Sequence, residues 1–302
     1  MKFLLTAINA KFIHSNPAIY SLRAGVGEKL QPYVELAEFT INESLESILE
    51  GIWKRQPKVI GFSCYIWNWK LIREILTELP KILPNTEIWL GGPEVTYDGP
   101  GLLSEFPQVT GIMVGEGEVT FREVLSQYVR EAESTGQSEQ QPEPDSIEQQ
   151  AADRTGTLAG KSVAERFGQI PGLCLASGYT APRELTDLTT LPFLYEDMEP
   201  FTNRIIYYET SRGCPYRCSY CLSSIDKKVR LRDIDVVKRE LQFFLDQNVK
   251  QVKFIDRTFN CDHKHAMEIW EYIYKHDNGV TNFHFEISAD ILREEEIVLL
   301  YR

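Results

Sequence analysis

Apolar runs and amphipathic stretches alternate along the first 130 residues. Five short, mostly apolar runs predict strands, at residues 2–8, 34–41, 58–65, 87–93 and 109–118. Between them apolar residues recur at helical spacing, as at Leu71, Ile72, Ile75 and Leu76. Near-continuously apolar strands are typical of parallel sheets that are covered on both faces. This order predicts a Rossmann-like, doubly wound α/β domain over residues 1–130.

The pattern changes between residues 131 and 167, where large apolar side chains become rare and Ser, Gln, Glu, Pro and Gly dominate. Seven acids and no Lys or Arg lie within residues 131–153, so more than half of the net charge of −12 falls there. Such a composition cannot bury enough apolar surface to offset the entropy lost on ordering. We expect a disordered acidic linker at 131–167 and a connecting hairpin segment at 168–202.

A second alternation of strands and helices begins near residue 203. It predicts strands at 204–213, 249–256 and 282–290 and helices at 233–247 and 262–276. The third strand alternates two sets of side chains, Phe283, Phe285 and Ile287 against His284, Glu286 and Ser288. In a barrel one set meets the helices and the other lines the lumen, where we expect the polar set. Three parallel strands leave a sheet edge open, which indicates a fragment or a partner that supplies the rest.

Composition places the 302-residue chain among soluble globular proteins, with 43% hydrophobic and 25% charged residues. No apolar run approaches the ~20 residues that span a bilayer, and the N-terminal apolar stretch is too short for a signal peptide. The negative net charge argues against a nucleic-acid partner. The six cysteines do not form an evident disulfide framework, which fits a reduced compartment. We therefore expect a cytoplasmic protein.

Three of the cysteines, Cys214, Cys218 and Cys221, lie within eight residues in the stretch CPYRCSYC. Structural zinc takes four ligands, usually as two separated pairs, and no second CxxC occurs. Cys261 and His263 are candidate fourth ligands, so zinc stays an alternative. An iron–sulfur cubane normally has four thiolates. With three, one iron keeps an open coordination position, which suits a cluster that binds a substrate directly.

The stretch ETSRGCPYRCSYC resembles the radical S-adenosylmethionine (SAM) superfamily. The resemblance implies that Cys214, Cys218 and Cys221 hold a [4Fe–4S] cluster whose unique iron chelates SAM. An electron from the cluster would cleave SAM to a 5′-deoxyadenosyl radical, with Tyr220 lying against the adenine. It also implies that residues 203–302 form the N-terminal half of a partial (β/α)6 barrel, and that an external flavodoxin- or ferredoxin-type protein donates electrons.

Three segments in the first half resemble the cobalamin-binding domain of cobalamin-dependent radical SAM proteins: FSCYIWN, GGPEVT and VGEGEVTF. The resemblance implies cobalamin contacts from Asn9, Ser63, Tyr65, Gly91, Gly92, Pro93, Gly115, Glu116 and Gly117. All lie at carboxyl ends of predicted strands, where open α/β sheets bind ligands, and glycines let backbone approach a flat macrocycle. A dinucleotide site at Gly115 and Gly117 is the weaker reading, because the motif lacks a third glycine and follows the last strand.

The first half lacks the DxHxxG motif with which many cobalamin domains supply an axial histidine. His14 lies in KFIHSN, with no Asp two residues before it and no Gly three residues after it. Any bound cobalamin would then lack a histidine ligand from that motif. We expect His14 to be a loop residue beside the ligand, or an exposed one.

Two acids of the predicted barrel are candidate SAM contacts. In FIDRTFN, which resembles the end of the second strand in these proteins, Arg257 replaces a second acid and Asp256 remains. Asp256 is expected to accept a hydrogen bond from the SAM amino group, or to cap the following turn. Glu286 is expected to contact SAM, or to form a buried ion pair with Arg212 or Arg257.

The resemblance implies a cobalamin-binding radical SAM enzyme that reductively cleaves SAM to start radical chemistry. Methyl transfer to an unactivated carbon is one such reaction. A non-methylating rearrangement or oxidation stays open, because fold does not fix function. Two alternatives belong to other classes: a non-catalytic cobalamin- or cluster-binding module, and a structural zinc-binding protein. The sequence does not specify a substrate.

Overall fold

The computed structural model describes residues 1–134, 161–226 and 228–302. The described chain forms two compact units. The first unit contains Met1–Phe12 and Asn16–Thr186, and the second contains Ile13–Ser15 and Asp187–Arg302.

A seven-stranded sheet organises the first unit. Its strands are β1 Phe3–Asn9, β2 Val34–Thr40, β3 Val59–Ser63, β4 Glu87–Gly91, β5 Val109–Met113, β6 Leu173–Leu175 and β7 Gly178–Tyr179. The strand order is β2-β1-β3-β4-β5-β6-β7, in which β1 to β5 run parallel and the last two run antiparallel to their neighbours. The helices of this unit are α1 Pro17–Gly25, α2 Leu45–Trp53, α3 Trp69–Ile82, α4 Gly99–Glu105, α5 Gly117–Ser134 and α6 Val163–Phe167.

Both faces of this sheet are covered, as the continuous apolar strands predicted. Along β1, Leu4 and Ile8 belong to one apolar cluster, whereas Phe3 and Leu5 belong to a second cluster on the opposite face. The first cluster includes side chains of α2 and α3, and the second includes side chains of α1 and α5. The doubly wound α/β fold predicted from the sequence is therefore confirmed.

Most of the predicted acidic linker, residues 135–160, lies outside the described residues. Both described ends of the predicted linker are helical. Helix α5 continues to Ser134, and α6 begins after a capping box formed by Ser162 and Glu165. The hairpin β6–β7 pairs with β5, so it completes the sheet of the first unit. The first unit thus extends to Thr186, beyond the predicted boundaries at 131 and 167.

A buried arginine joins β4, α5 and α6. The Arg166 side chain is completely buried and contacts the carboxylates of Glu87 at 3.0 Å and Glu131 at 2.9 Å. The Tyr128 hydroxyl donates to Glu87 at 2.6 Å and accepts from the indole of Trp89 at 2.8 Å. The guanidinium also lies 5.0 Å from the Tyr128 ring centroid. The two helices that flank residues 135–160 are thereby fixed to the sheet.

The second unit contains a three-stranded parallel sheet of order β12-β11-β8 and a two-stranded antiparallel sheet β10-β9. Its elements are β8 Ile206–Tyr208, β9 Ser211–Arg212, β10 Arg230–Leu231, α7 Ile234–Asp246, β11 Gln251–Phe254, α8 His263–His276, β12 Asn282–His284 and α9 Glu294–Tyr301. Asp262 caps α8 as predicted, since its carboxylate accepts from the backbone of His265 at 2.9 Å. No helix of the described chain is both long enough and apolar enough to cross a membrane.

One face of the parallel sheet packs against helices. Its residues Ile206, Val252 and Phe254 are fully buried. The rings of Phe283 and Phe285 lie 6.4 Å and 4.4 Å from that of Phe254, so these two members of the predicted apolar set meet the core. The third member, Ile287, is 40% exposed. The regular strand β12 ends at His284, which is shorter than the predicted range of 282–290.

We expect Arg166→Ala to destabilise the first unit by about 3–5 kcal/mol, because it leaves two carboxylates near each other without a buried cation. The measurement is the free energy of unfolding in guanidinium chloride, followed by circular dichroism. The control is Arg73→Ala, whose pair with Glu105 is exposed and which should cost no more than about 1 kcal/mol. Equal losses for the two variants would contradict the structural role of Arg166.

Candidate cofactor sites

The loop from Cys214 to Cys221 follows β9 and is fixed where it begins. Gly213 has a φ of +96°, and a Cβ at this position would overlap the carbonyl oxygen of Lys228. The next amide, that of Cys214, donates to the carbonyl of Asp226 at 2.9 Å. Only glycine allows this close approach of two backbone segments, so the loop begins in a defined position.

The three thiols of the loop differ in exposure: Cys214 is buried, Cys218 is half-buried and Cys221 is exposed. The sulfur of Cys214 lies 3.4 Å from the Thr258 hydroxyl. Hydrogen bonds from Ser223 lower the pKa of Cys221. The backbone of Ser223 makes the larger contribution and its side chain the smaller one. A lowered pKa favours the thiolate, which is the form that binds metals. The chemistry of this donor set fits an iron–sulfur cluster.

Neither predicted fourth zinc ligand completes a zinc site. The Nδ1 atom of His263 lies 2.7 Å from the carboxylate of the buried Glu296, and burial raises the pKa of the Cys261 thiol. Within the described residues, no three Cys, His, Asp or Glu side chains are grouped to hold a single metal ion. A cubane places each thiolate on a different iron, so its ligands lie further apart than those of one zinc ion.

Asp256 lies at the end of β11 and is only 1% exposed. Its carboxylate accepts hydrogen bonds from the Thr210 hydroxyl at 2.7 Å, the Ser211 hydroxyl at 2.5 Å and the Thr210 amide at 3.2 Å. Burial raises the pKa of Asp256, although these hydrogen bonds act in the opposite direction. The acid therefore holds the segment that leads into the cysteine loop. The contact differs from the predicted cap of the following turn, and the predicted contact of Asp256 with the SAM amino group stays a prediction.

The other predicted SAM contacts are exposed. Tyr220 is 90% exposed on the loop. The carboxylate of Glu286 is half-exposed and lies 3.4 Å from the ammonium of Lys253. Because Glu286 is exposed and pairs with a lysine, the predicted buried ion pair of Glu286 with Arg212 or Arg257 is wrong. Contacts of Tyr220 and Glu286 with SAM stay predictions.

In the first unit, a buried asparagine builds the loop after β3. The side-chain amide of Asn68 donates to the carbonyls of Ile8 at 3.0 Å and Ser63 at 2.9 Å, and its oxygen accepts from the Tyr65 amide at 2.8 Å. These bonds join the ends of β1 and β3 and position the ring of Tyr65, which stacks on Trp67 at 4.3 Å. Sequence reasoning missed Asn68, although asparagine is typical of such turns.

The glycines at this sheet edge have different roles. Gly92 has a φ of +112°, and a Cβ there would overlap the carbonyl oxygen of Cys64. Contact between these two loops is thus enough to require a glycine here, and the cobalamin contact of Gly92 stays a prediction. Gly115 has a φ of +80°, and a Cβ at that position would have no described atom within 4 Å. Among the predicted cobalamin contacts, Gly115 therefore best fits backbone approached by a ligand.

Several predicted cobalamin contacts already have protein partners. The Asn9 amide donates to Glu38 at 2.5 Å, and the Ser63 hydroxyl accepts from Asn16 at 3.3 Å. Asn9 and Ser63 lie at the same edge of the sheet, at the ends of the paired strands β1 and β3.

Glu116 and His14 also have partners that the sequence did not indicate. The Glu116 carboxylate accepts from the backbone amide of Thr186 at 2.7 Å, close to the end of the first unit. His14 belongs to the second unit, and its Nδ1 atom lies 2.5 Å from the Tyr207 hydroxyl. The expectation that His14 is simply exposed is therefore wrong, because its ring contacts a tyrosine of the parallel sheet.

Comparisons with known proteins agree with this geometry. Residues 4–125 match the family model of the B12 binding domain, and residues 208–302 match that of the radical SAM superfamily. The fold resembles a solved structure of the radical SAM methyltransferase TsrM from Kitasatospora setae, determined with tryptophan substrate and a SAM analogue. The TM-score is 0.66 at 18% identity, covering 99% of this chain and 57% of that one.

Two curated relatives carry different activities in their names. A 2-(S-pantetheinyl)-carbapenam-3-carboxylate methyltransferase of Streptantibioticus cattleyicolor is 27% identical, over 72% of this chain and 29% of its own length. An anaerobic magnesium-protoporphyrin IX monomethyl ester cyclase of Rubrivivax gelatinosus is 24% identical, over 86% of this chain and 44% of its own length. The chain thus spans less than half the length of these relatives.

We expect Asp256→Ala to lower the affinity of the loop for its cluster by about tenfold or more, as the loss of supporting contacts does at other metal sites. Two hydroxyls and one amide lose their acceptor, so the loop is no longer held. The measurement is iron and sulfide per chain after anaerobic reconstitution, with circular dichroism to verify folding. Asp235→Ala, at an exposed acid of α7, is the matched control. A folded Asp256→Ala variant with full iron content would refute this role.

Proposed function

Because the chain belongs to the cobalamin-dependent radical SAM protein family, with both of its domains matched in order, we propose that it acts as a methyltransferase that cleaves SAM at an iron–sulfur cluster. The cofactors of this family are cobalamin, a [4Fe–4S] cluster and SAM. The observation that carries the proposal is the cysteine loop, whose three thiols follow a backbone segment fixed by Gly213 and Asp256. When bound, the cluster supplies the electron that cleaves SAM, and cobalamin carries the methyl group.

The residues of the chain would have the following roles. Cys214, Cys218 and Cys221 hold the cluster, and a set of three thiolates leaves a coordination position for SAM. Tyr220, with 90% of its surface exposed, is available to lie against the adenine. In the first unit, the open backbone at Gly115 and the loop held by Asn68 receive cobalamin.

Support for methylation comes from the names of the relatives, of which the carbapenam-carboxylate enzyme and TsrM are methyltransferases. A second candidate, oxidative ring formation without methyl transfer, is favoured by the cyclase, which aligns with 86% of this chain. The two candidates share the cluster and SAM and differ in whether the methyl group of SAM is retained in a product.

The test uses the purified protein, reconstituted anaerobically with iron, sulfide and cobalamin, reduced with dithionite and supplied with SAM that carries a deuterated methyl group. We expect reductant-dependent 5′-deoxyadenosine and the deuterated methyl group on cobalamin, both measured by mass spectrometry. Cys221→Ser should abolish the 5′-deoxyadenosine, because the cluster loses one of three ligands. Cys261→Ser should retain it, because this half-buried thiol lies outside the loop.

Other outcomes would identify the alternatives. Formation of 5′-deoxyadenosine without label on cobalamin would favour the oxidative candidate. A cluster that forms but cleaves no SAM would favour a binding module. One zinc ion and no iron after strictly anaerobic preparation would overturn the proposal.

A further inference from the structure

The three-stranded parallel sheet of the second unit has two chemically different faces. On the core face, Ile206, Val252 and Phe254 are fully buried. On the other face, Lys253 of β11 is paired in register with Tyr207 of β8 on one side and with His284 of β12 on the other. Since paired residues of adjacent strands point to the same face, Tyr207, Lys253 and His284 form one row across all three strands. We call these three residues the donor row.

The donor row is unusual for parallel strands, which normally carry apolar side chains on both faces. An ammonium group offers three hydrogen-bond donors and no acceptor, and a phenol and an imidazole each add a donor. Departures from the apolar pattern of a fold are concentrated at functional sites. The side chains in this row are those that recognise a carboxylate or a phosphate.

One acid lies close to the donor row, and it is loosely held. The Glu286 carboxylate lies 3.4 Å from the Lys253 ammonium and is 50% exposed. Charge-assisted hydrogen bonds are normally shorter, about 2.7–2.9 Å, and exposed pairs contribute little to stability. An anion of a ligand could therefore replace Glu286 at Lys253 without the loss of a strong contact.

Tyr207 is held in place from the opposite side. Its hydroxyl lies 2.5 Å from Nδ1 of His14, and the ring centroids of the two residues are 6.0 Å apart. Tyr207 is only half-buried, so its hydroxyl group is fixed beside the row without being sealed in the core. When Nδ1–H of His14 donates in this contact, the Tyr207 O–H stays available to a ligand. The row then has one fixed donor, Tyr207, and one cation whose partner can be exchanged, Lys253.

We propose that Tyr207, Lys253 and His284 bind an anionic group, a carboxylate or a phosphate, of the substrate that accepts the methyl group. The inference rests on the proposed function, because that function requires a second substrate beside SAM. The net charge of the chain is −12, so long-range attraction does not concentrate anions. Recognition must come from local donors, and the donor row supplies them. SAM also carries a carboxylate, so the test must separate the two sources.

Pyridoxal 5′-phosphate is a suitable probe, because its phosphate seeks donors and its aldehyde condenses with a lysine amine, releasing water. Borohydride then reduces the imine, and peptide mapping by mass spectrometry locates the modified lysine. We expect Lys253 to be modified about tenfold faster than Lys264 and Lys275, exposed lysines of α8 outside the row. The reconstituted protein is used, and inorganic phosphate or succinate should protect Lys253.

Two substitutions give effects of opposite sign. Tyr207→Phe removes a donor and should slow the modification of Lys253 about threefold, whereas Glu286→Gln removes the competing carboxylate and should accelerate it. Glu294→Gln, at an exposed acid of α9, is the matched control and should leave the rate unchanged.

Two results would overturn the proposal. Modification of Lys253 at the rate of the two α8 lysines would show that the donor row does not bind anions. Protection of Lys253 by SAM, but not by phosphate or succinate, would assign the row to the carboxylate of SAM. Failure of the proposed function would be recognised separately, as wild-type protein without iron or without SAM cleavage. Modification and protection of Lys253 can be measured whether or not SAM is cleaved.

Discussion

The cysteine loop depends on one buried carboxylate. Asp256 follows β11 by two residues, and it accepts hydrogen bonds from the amide and hydroxyl of Thr210 and from the hydroxyl of Ser211. Burial of an unpaired carboxylate is costly unless several donors surround it. Those donors belong to the residues directly before the loop, so the cost of burying Asp256 is offset only when the loop begins in its observed position. Asp256 thus links the end of β11 to the residues that precede Cys214, the first thiol of the loop.

In the first unit a buried neutral side chain, Asn68, likewise holds loop and strand ends together through hydrogen bonds. Asn68 satisfies both donors of its amide and its acceptor within the ends of β1 and β3. Gly92 lets the next loop contact the first without a Cβ between them. The edge at which open α/β sheets bind ligands is therefore built from polar side chains and glycines that contact each other. The groups facing the ligand, such as the backbone at Gly115, are positioned by this framework.

The sequence predicted those features that depend on local pattern. Strand periodicity identified the parallel sheet, Asp262 was recognised as a helix cap, and the spacing of Cys214, Cys218 and Cys221 indicated a cluster. It did not predict features that require knowledge of tertiary neighbours. Arg166 lies in a segment whose average composition is that of a disordered chain. Its side chain is nevertheless buried, where it pairs with Glu87 and Glu131, two acids that are distant in sequence. Likewise the roles of Gly92 and Gly115 differ only through what lies next to each.

The proposed function requires that three thiolates hold a cluster with one coordination position left for SAM. Electron–nuclear double resonance of the reduced, reconstituted protein tests it directly, with SAM labelled by ¹⁵N in the amino group and by ¹⁷O in the carboxylate. We expect hyperfine coupling of both labels to the cluster. Absence of both couplings, in a sample that contains about four irons per chain and an excess of SAM, would contradict it.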